Sequence, residues 1–304
     1  MKTSKFLMMV ALVGAVTFTA CNNDDEPVTN DKVAVQFSAG IGGNVATGTP
    51  ETRAAGTTWA AGDDIGIFTV ANGTTTPAID ANMQYETTAG NGTFTSIDAA
   101  NTIYYPGSGT IDFIAYYPYA SGTVLGTPIE VNIGTTQTAT SQATFDLLYT
   151  ATTAGYTSAS PTTVPLTFDH KLSKLVMNLV AGSGATLSNV SVSIKGTRIN
   201  NTFNLSTGAL GTADAWTAAI TPRQITANSS YDAIIMPSSY ADGVASVEIT
   251  AGGEVYTWDC GAITFAPGSE HIYTITLTKG GGVTVTGTIN PWTTGTGGNV
   301  TAEN

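Results

Sequence analysis

From residue 33 onward, apolar positions along the chain recur every second residue. Val33, Val35, Phe37, Ala39 and Ile41 alternate with Ala34, Gln36, Ser38 and Gly40, the period of a strand with one buried face. Ile111, Phe113 and Ala115, leading into Tyr117, repeat the pattern, as do Leu166, Phe168, His170 and Leu172. Further strands are predicted over 65–70, 102–105, 129–133, 175–180, 190–194, 231–236, 244–250, 254–260, 272–277 and 283–289. Turn signals such as Ala61-Gly62-Asp63, Pro106-Gly107, Ala120-Ser121-Gly122 and Ala251-Gly252-Gly253 separate them. No segment longer than a turn or two carries a 3.6-residue period.

More than a dozen short strands at this spacing predict an all-β protein made of β-sandwiches, not alternating β-α units. Composition agrees: charged residues are 11% of the chain, and Thr, Gly, Ala, Ser and Asn fill the surface positions that Lys and Glu would take on exposed helices. A length of 304 residues allows two cores. Two tandem domains are predicted, 33–163 and 164–304, with the Thr-, Ser-, Ala- and Gly-rich stretch 141–161 as the change point. Ten Lys plus Arg against 22 Asp plus Glu leave no clustered cations for phosphates, so nucleic acid is not an expected partner.

The first twenty residues read as a signal peptide: Lys2 and Lys5, an apolar run from Phe6 to Phe18, then small residues. Thr19-Ala20-Cys21 resembles the lipobox of bacterial lipoproteins, with Phe18 where an aliphatic residue is usual. The resemblance implies that Cys21 is acylated and begins the mature chain on a cell-surface membrane. Residues 21–32, opening Cys21-Asn22-Asn23-Asp24-Asp25-Glu26, form an acidic tether that cannot fold alone. With Cys21 acylated, Cys260 has no disulfide partner.

Several phrases occur together and in order: Thr52-Arg53-Ala54, Trp59-Ala60-Ala61-Gly62-Asp63-Asp64-Ile65-Gly66-Ile67-Phe68, Asp112-Phe113-Ile114-Ala115-Tyr116-Tyr117-Pro118 and Asp146-Leu147-Leu148. Phe168-Asp169-His170-Lys171-Leu172-Ser173-Lys174-Leu175, Pro267-Gly268-Ser269, Tyr273-Thr274-Ile275-Thr276-Leu277 and Ile289-Asn290-Pro291-Trp292 continue the set. The set resembles the fimbrillin family of type V pilins. That resemblance implies two transthyretin-like, seven-stranded Greek-key sandwiches and a structural subunit of an adhesive pilus. It also implies a route: export as an outer-membrane lipoprotein, cutting by an Arg-specific protease, and filling of the vacated groove by a strand of a neighbouring subunit.

The residues can be read against that route. Arg53 is the single basic residue between Gly42 and Thr58, in an extended linker of the kind proteases enter. It is either a plain surface arginine or the maturation site, with Ala54 as the new N-terminus. Cutting there would release the strand of Val33, Val35, Phe37, Ala39 and Ile41, worth up to roughly 10 kcal/mol of burial at about 1.5–3 kcal/mol per large side chain. A replacement strand needs the same two-residue period, and Val283, Val285 and Ile289, with Gly287 between them, supply it within 283–300. Trp292 falls out of phase across Pro291. The alternative is an ordinary last strand behind the turn Gly280-Gly281-Gly282. A head-to-tail contact of this kind does not close on itself and makes a filament.

Candidate chemistry is sparse. His170 shares a face with Leu166, Phe168 and Leu172 and reads as a core or sheet-edge histidine, leaving His271 as the other imidazole. Cys260 reads as a buried inert thiol. Asp63 and Asp64 read as a turn, not a calcium loop. Tyr104, Tyr105, Tyr116, Tyr117 and Tyr119, with Trp59 and Trp216, are candidates for a sugar-binding platform. Neither catalytic residues, metal ligands nor a cofactor are expected. The competing reading is a lipid-anchored surface module that binds glycan or host protein and never polymerises.

Overall fold

The computed structural model describes residues 32–42, 56–160, 163–280 and 282–292. Cys21, Arg53 and Ala54 lie outside the described residues. Among the described residues the regular secondary structure is almost entirely strand, joined by turns, in keeping with the all-β class. The strands of the N-terminal part are β1 (Gln36–Ile41), β2 (Asp63–Ala71), β3 (Met83–Thr87), β4 (Thr93–Ser96), β5 (Ile111–Tyr117), β6 (Ile129–Asn132), β7 (Leu148–Ala151) and β8 (Thr163–His170). A short helix, α1 (Ala139–Ala143), precedes β7.

Seven of these strands close a barrel in the order β1-β4-β3-β2-β5-β7-β8, with β8 returning to β1. The interior holds Phe37, Trp59, Phe94, Phe113, Phe168 and their neighbours. The stretch 141–161 holds most of α1 and all of β7, and β7 pairs antiparallel with both β5 and β8. Residues 102–105 make no strand. Ile103 and Tyr105 are buried there, and Tyr104 forms one isolated bridge to Ala34.

The C-terminal part contributes β9 (Ser173–Ala181), β10 (Ser191–Lys195), β11 (Asn200–Asn204), β12 (Ala209–Leu210), β13 (Arg223–Thr226) and β14 (Ser230–Ile235). It continues with β15 (Ser238–Tyr240), β16 (Ser246–Ala251), β17 (Glu254–Asp259), β18 (Ile263–Phe265), β19 (Ser269–Thr278) and β20 (Gly282–Pro291). A five-stranded sheet, β13-β14-β9-β19-β20, ends on β20, and a three-stranded sheet, β10-β16-β17, supplies further walls of its core. Leu175, Met177, Ile235, Val247, Ile249 and Ile275 lie in that core.

One expectation fails at β5. Its alternation predicts a single buried face, yet all seven residues are buried. Phe113, Ala115 and Tyr117 fill the barrel, while Ile114 and Tyr116 join the second cluster from the opposite face. A strand packed on both sides reads as a nearly continuous apolar run, and its second face is invisible to a period-two reading. Asp112, also buried, is satisfied there by Asn72 Nδ2 at 2.8 Å and by the backbone N–H groups of Gly73 and Gly155. Leu172 likewise leaves the face of Leu166 and Phe168: it follows β8 and packs into the second core.

Candidate functional site: the first strand, the last strand and their junction

β1 is enclosed on both edges. It pairs parallel with β8 along its full length, Gln36 opposite Thr163 through Ile41 opposite Phe168, and antiparallel with β4 at Phe37 and Ser38. Val35, Phe37, Ala39 and Ile41 are at most 3% exposed, and Val33 is half-buried against the same core. Phe37 meets Tyr85 and Phe113 edge-on, with centroids 5.1 and 5.0 Å away. Trp59 donates from Nε1 to the Ala39 carbonyl at 2.8 Å. Gly92, at φ +79°, approaches the same carbonyl so closely that a Cβ there would lie 2.4 Å from the oxygen. The chain is therefore tightly gripped at Ala39, the small residue of the series.

β20 is held differently. It pairs with β19 alone, ten residues in register from Thr278 opposite Gly282 to Ser269 opposite Pro291, and its other edge carries no partner strand among the described residues. Val283 and Val285 are half-buried against the core, whereas Ile289 is 49% exposed. Gly287 lies beneath the Tyr273 ring, which a Cβ would meet at 2.3 Å. Within 282–292 the one fully buried residue is Trp292, 4% exposed. Pro291 ends the strand, and the Trp292 N–H then donates to the Gly268 carbonyl at 2.7 Å.

The sequence phrases containing Asp146, His170 and Trp292 meet at one place. The Trp292 ring stacks on His170 with centroids 3.7 Å apart and planes 4° from parallel. Lys174 Nζ sits 5.7 Å from the Trp292 centroid and 3.3 Å from the Glu270 carboxylate. His170 Nδ1 lies 3.0 Å from Asp146 Oδ1, and Nε2 lies 3.0 Å from the Gly56 carbonyl. A carbonyl only accepts, so Nε2 donates. Sequence reasoning places His170 in the core but misses this contact, because Trp292 breaks the local period. The phrases that carry it, Phe168-Asp169-His170 and Asn290-Pro291-Trp292, are both visible in the sequence.

Other candidates are quieter. Burial pushes the Cys260 thiol up to about 12, with nearby Asp259 adding to the rise, so the reactive thiolate is suppressed near neutrality. Burial pulls His271 down to about 4, while its Nε2 lies 3.0 Å from Ser269 Oγ. The Gly62 turn is held by Asp63, whose carboxylate accepts from the Ala60 N–H at 2.8 Å and from Tyr117 Oη at 3.1 Å. The aromatic set does not assemble into a platform: Trp59, Tyr105, Tyr116 and Tyr117 are buried. Tyr119 does line a groove of about 520 Å³ with Pro118, Glu130, Asn132 and Phe145.

Fold and geometry together define an all-β protein in which the first described strand is enclosed in a barrel and the last described strand is a sheet edge with one buried aromatic residue, Trp292, at its end. The chain belongs to the fimbrillin-like family, whose model matches residues 52–292. It is 32% identical over 318 residues to the "Putative fimbrium subunit Fim1C" of Bacteroides uniformis, covering 98% of this chain and 99% of that protein. A crystal structure of a "putative cell adhesion protein" from Bacteroides uniformis superposes with a TM-score of 0.71 at 28% identity, over 87% of this chain and 99% of that one. One from Bacteroides ovatus gives a TM-score of 0.69 at 25% identity, with the same coverage.

Proposed function

We propose that the protein is a structural pilus subunit of the cell surface. In this reading it is exported as a lipoprotein through Cys21, cut after Arg53 to expose Ala54, and polymerised when a neighbour's C-terminal strand replaces β1. The reading takes the chain as two sandwiches meeting near residue 163, with β8 hydrogen-bonded to the first. Family membership supports the pilus role.

The observation that carries strand exchange is the seat of β1. Gly42 donates to the Phe168 carbonyl at 2.8 Å and Gly56 accepts from His170, so the described residues that flank the stretch containing Arg53 both lie beside the end of β8. One cut there severs β1 from the rest of the barrel without touching another described element. The neighbour's Val283, Val285, Gly287 and Ile289 have the spacing of Val35, Phe37, Ala39 and Ile41, and glycine falls on the gripped position of Ala39. Backbone pairing to β8 and β4 would then supply affinity, and alternate side chains the register.

The second reading, a tethered module that binds glycan or host protein without polymerising, is favoured by the groove beside Tyr119 and Glu130. One experiment separates the two. Purified precursor treated with an Arg-specific protease is expected to begin at Ala54 and to form SDS-resistant ladders. Persistence as a monomer, with glycan-array binding by the uncut protein, would decide for the second reading.

A further inference from the structure

We propose that the stack of Trp292 on His170 is a latch that keeps β20 in its own sheet and sets how readily that strand is released. The proposal rests on the strand-exchange reading for its purpose, but not for its physical basis. β20 has one bonded edge, two half-buried valines and an exposed Ile289, so along its length little besides the backbone ladder resists peeling from β19. At its end the situation reverses. Peeling the last residues away must pull an indole out of a buried site, part it from the imidazole face and Lys174, and break its N–H bond to Gly268. Local opening is cheapest where few buried contacts hold a segment, and Trp292 supplies the buried contact at the C-terminal end of β20.

His170 is suited to be the seat because it is itself immobilised. It ends β8, the strand that borders β1, and both ring nitrogens are engaged, one by the Asp146 carboxylate and the other by the Gly56 carbonyl. Gly56 lies three residues beyond Arg53. The seat of the last strand is thus bonded to the stretch of chain beside the proposed cut and continuous with a wall of the proposed groove. Trp292 is a positioning residue here: it acts on β20 through His170 and forms no part of the alternating face that would enter a neighbour.

The test is hydrogen exchange on the uncut full-length chain, in which no polymer forms. Trp292→Ala is expected to speed exchange across 282–291 by roughly tenfold to a hundredfold, the shift in opening equilibrium that loss of a buried aromatic side chain gives. Exchange in β1 and β8 should stay unchanged, and Trp292→Phe, which keeps a ring on His170, should restore most of the protection. His170→Ala should reproduce the effect on β20 from the other side of the stack. Unchanged exchange in β20, or a uniform rise in every sheet, would overturn the latch. After protease treatment, latch-free Trp292→Ala should form ladders several-fold faster than the wild type, and an equal or slower rate would count against control of release. Failure of wild-type protein to form ladders would sink the assembly reading alone, since the exchange data on the uncut chain stand apart from it.

Discussion

The first and last described strands carry similar alternating patterns in sequence and are held by opposite means. β1 is bonded on both edges and buries Val35, Phe37, Ala39 and Ile41 almost completely. β20 is longer, bonded on one edge, and leaves Ile289 half in solvent. Alternation therefore says that a strand has an apolar face, and says nothing about how fully its surroundings cover that face. For a protein read as exchanging one strand for another, the contrast is useful: the seat of β1 is deep and suits a strand of the right spacing with a small residue at the Ala39 position, and β20 is held by fewer contacts along its length.

The sharpest way to break this comparison is to truncate one side chain on each strand and compare the isolated, uncut subunits. Phe37→Ala removes a ring packed edge-on against Tyr85 and Phe113 in a closed core, and is expected to cost about 3–5 kcal/mol. The denaturant midpoint should fall with little change in slope. A loss below about 1 kcal/mol would mean that the barrel does not depend on its first strand.

A smaller effect concerns the strand on which β20 rests. His271 on β19 stands opposite Ile289, and burial holds it neutral down to about pH 4. In the unfolded chain it takes up a proton below about 6.5. The unfolded state then binds more protons than the native state between those values, so stability falls as pH drops through that window. The contribution between pH ~6.5 and ~5 is about 1–2 kcal/mol. His271→Phe should flatten the stability profile over this range by that amount, measured by denaturant unfolding at each pH. Identical slopes for the two proteins would place the pH dependence elsewhere.

How much of this was legible in the sequence depends on how many apolar anchors a strand has. β1, β9 and β19 announce themselves because three or more core residues fall at alternate positions. β4 (Thr93–Ser96) has only Phe94 and β11 (Asn200–Asn204) only Phe203 as large apolar residues, so neither shows a period, and tertiary pairing makes them strands. β7 hides in a stretch whose Thr, Ser, Ala and Gly content reads as a linker. At the junction, Asp146, His170 and Trp292 lie in three separate phrases, and only folding brings them together. Trp292 reads as out of phase because Pro291 ends the ladder and turns the indole inward, a change of direction with no period of its own.

The smallest expected effect on the isolated subunit makes the most specific test of register. Ile289 is 49% exposed in its own sheet, so Ile289→Ala should shift the stability of the uncut monomer by no more than about 0.5 kcal/mol. If Gly287 takes the place of Ala39 in a neighbour, Ile289 takes that of Ile41, which is fully buried. There the same truncation removes a core side chain and should cost about 2–5 kcal/mol per joint. It would appear as ladders that dissociate in SDS at a lower temperature than wild-type ladders. A substitution silent in the monomer and costly in the polymer is the signature of a side chain that changes its surroundings on assembly. Equal ladder stability would mean that the replacing strand sits in another register, with Ile289 outside the groove that β1 leaves.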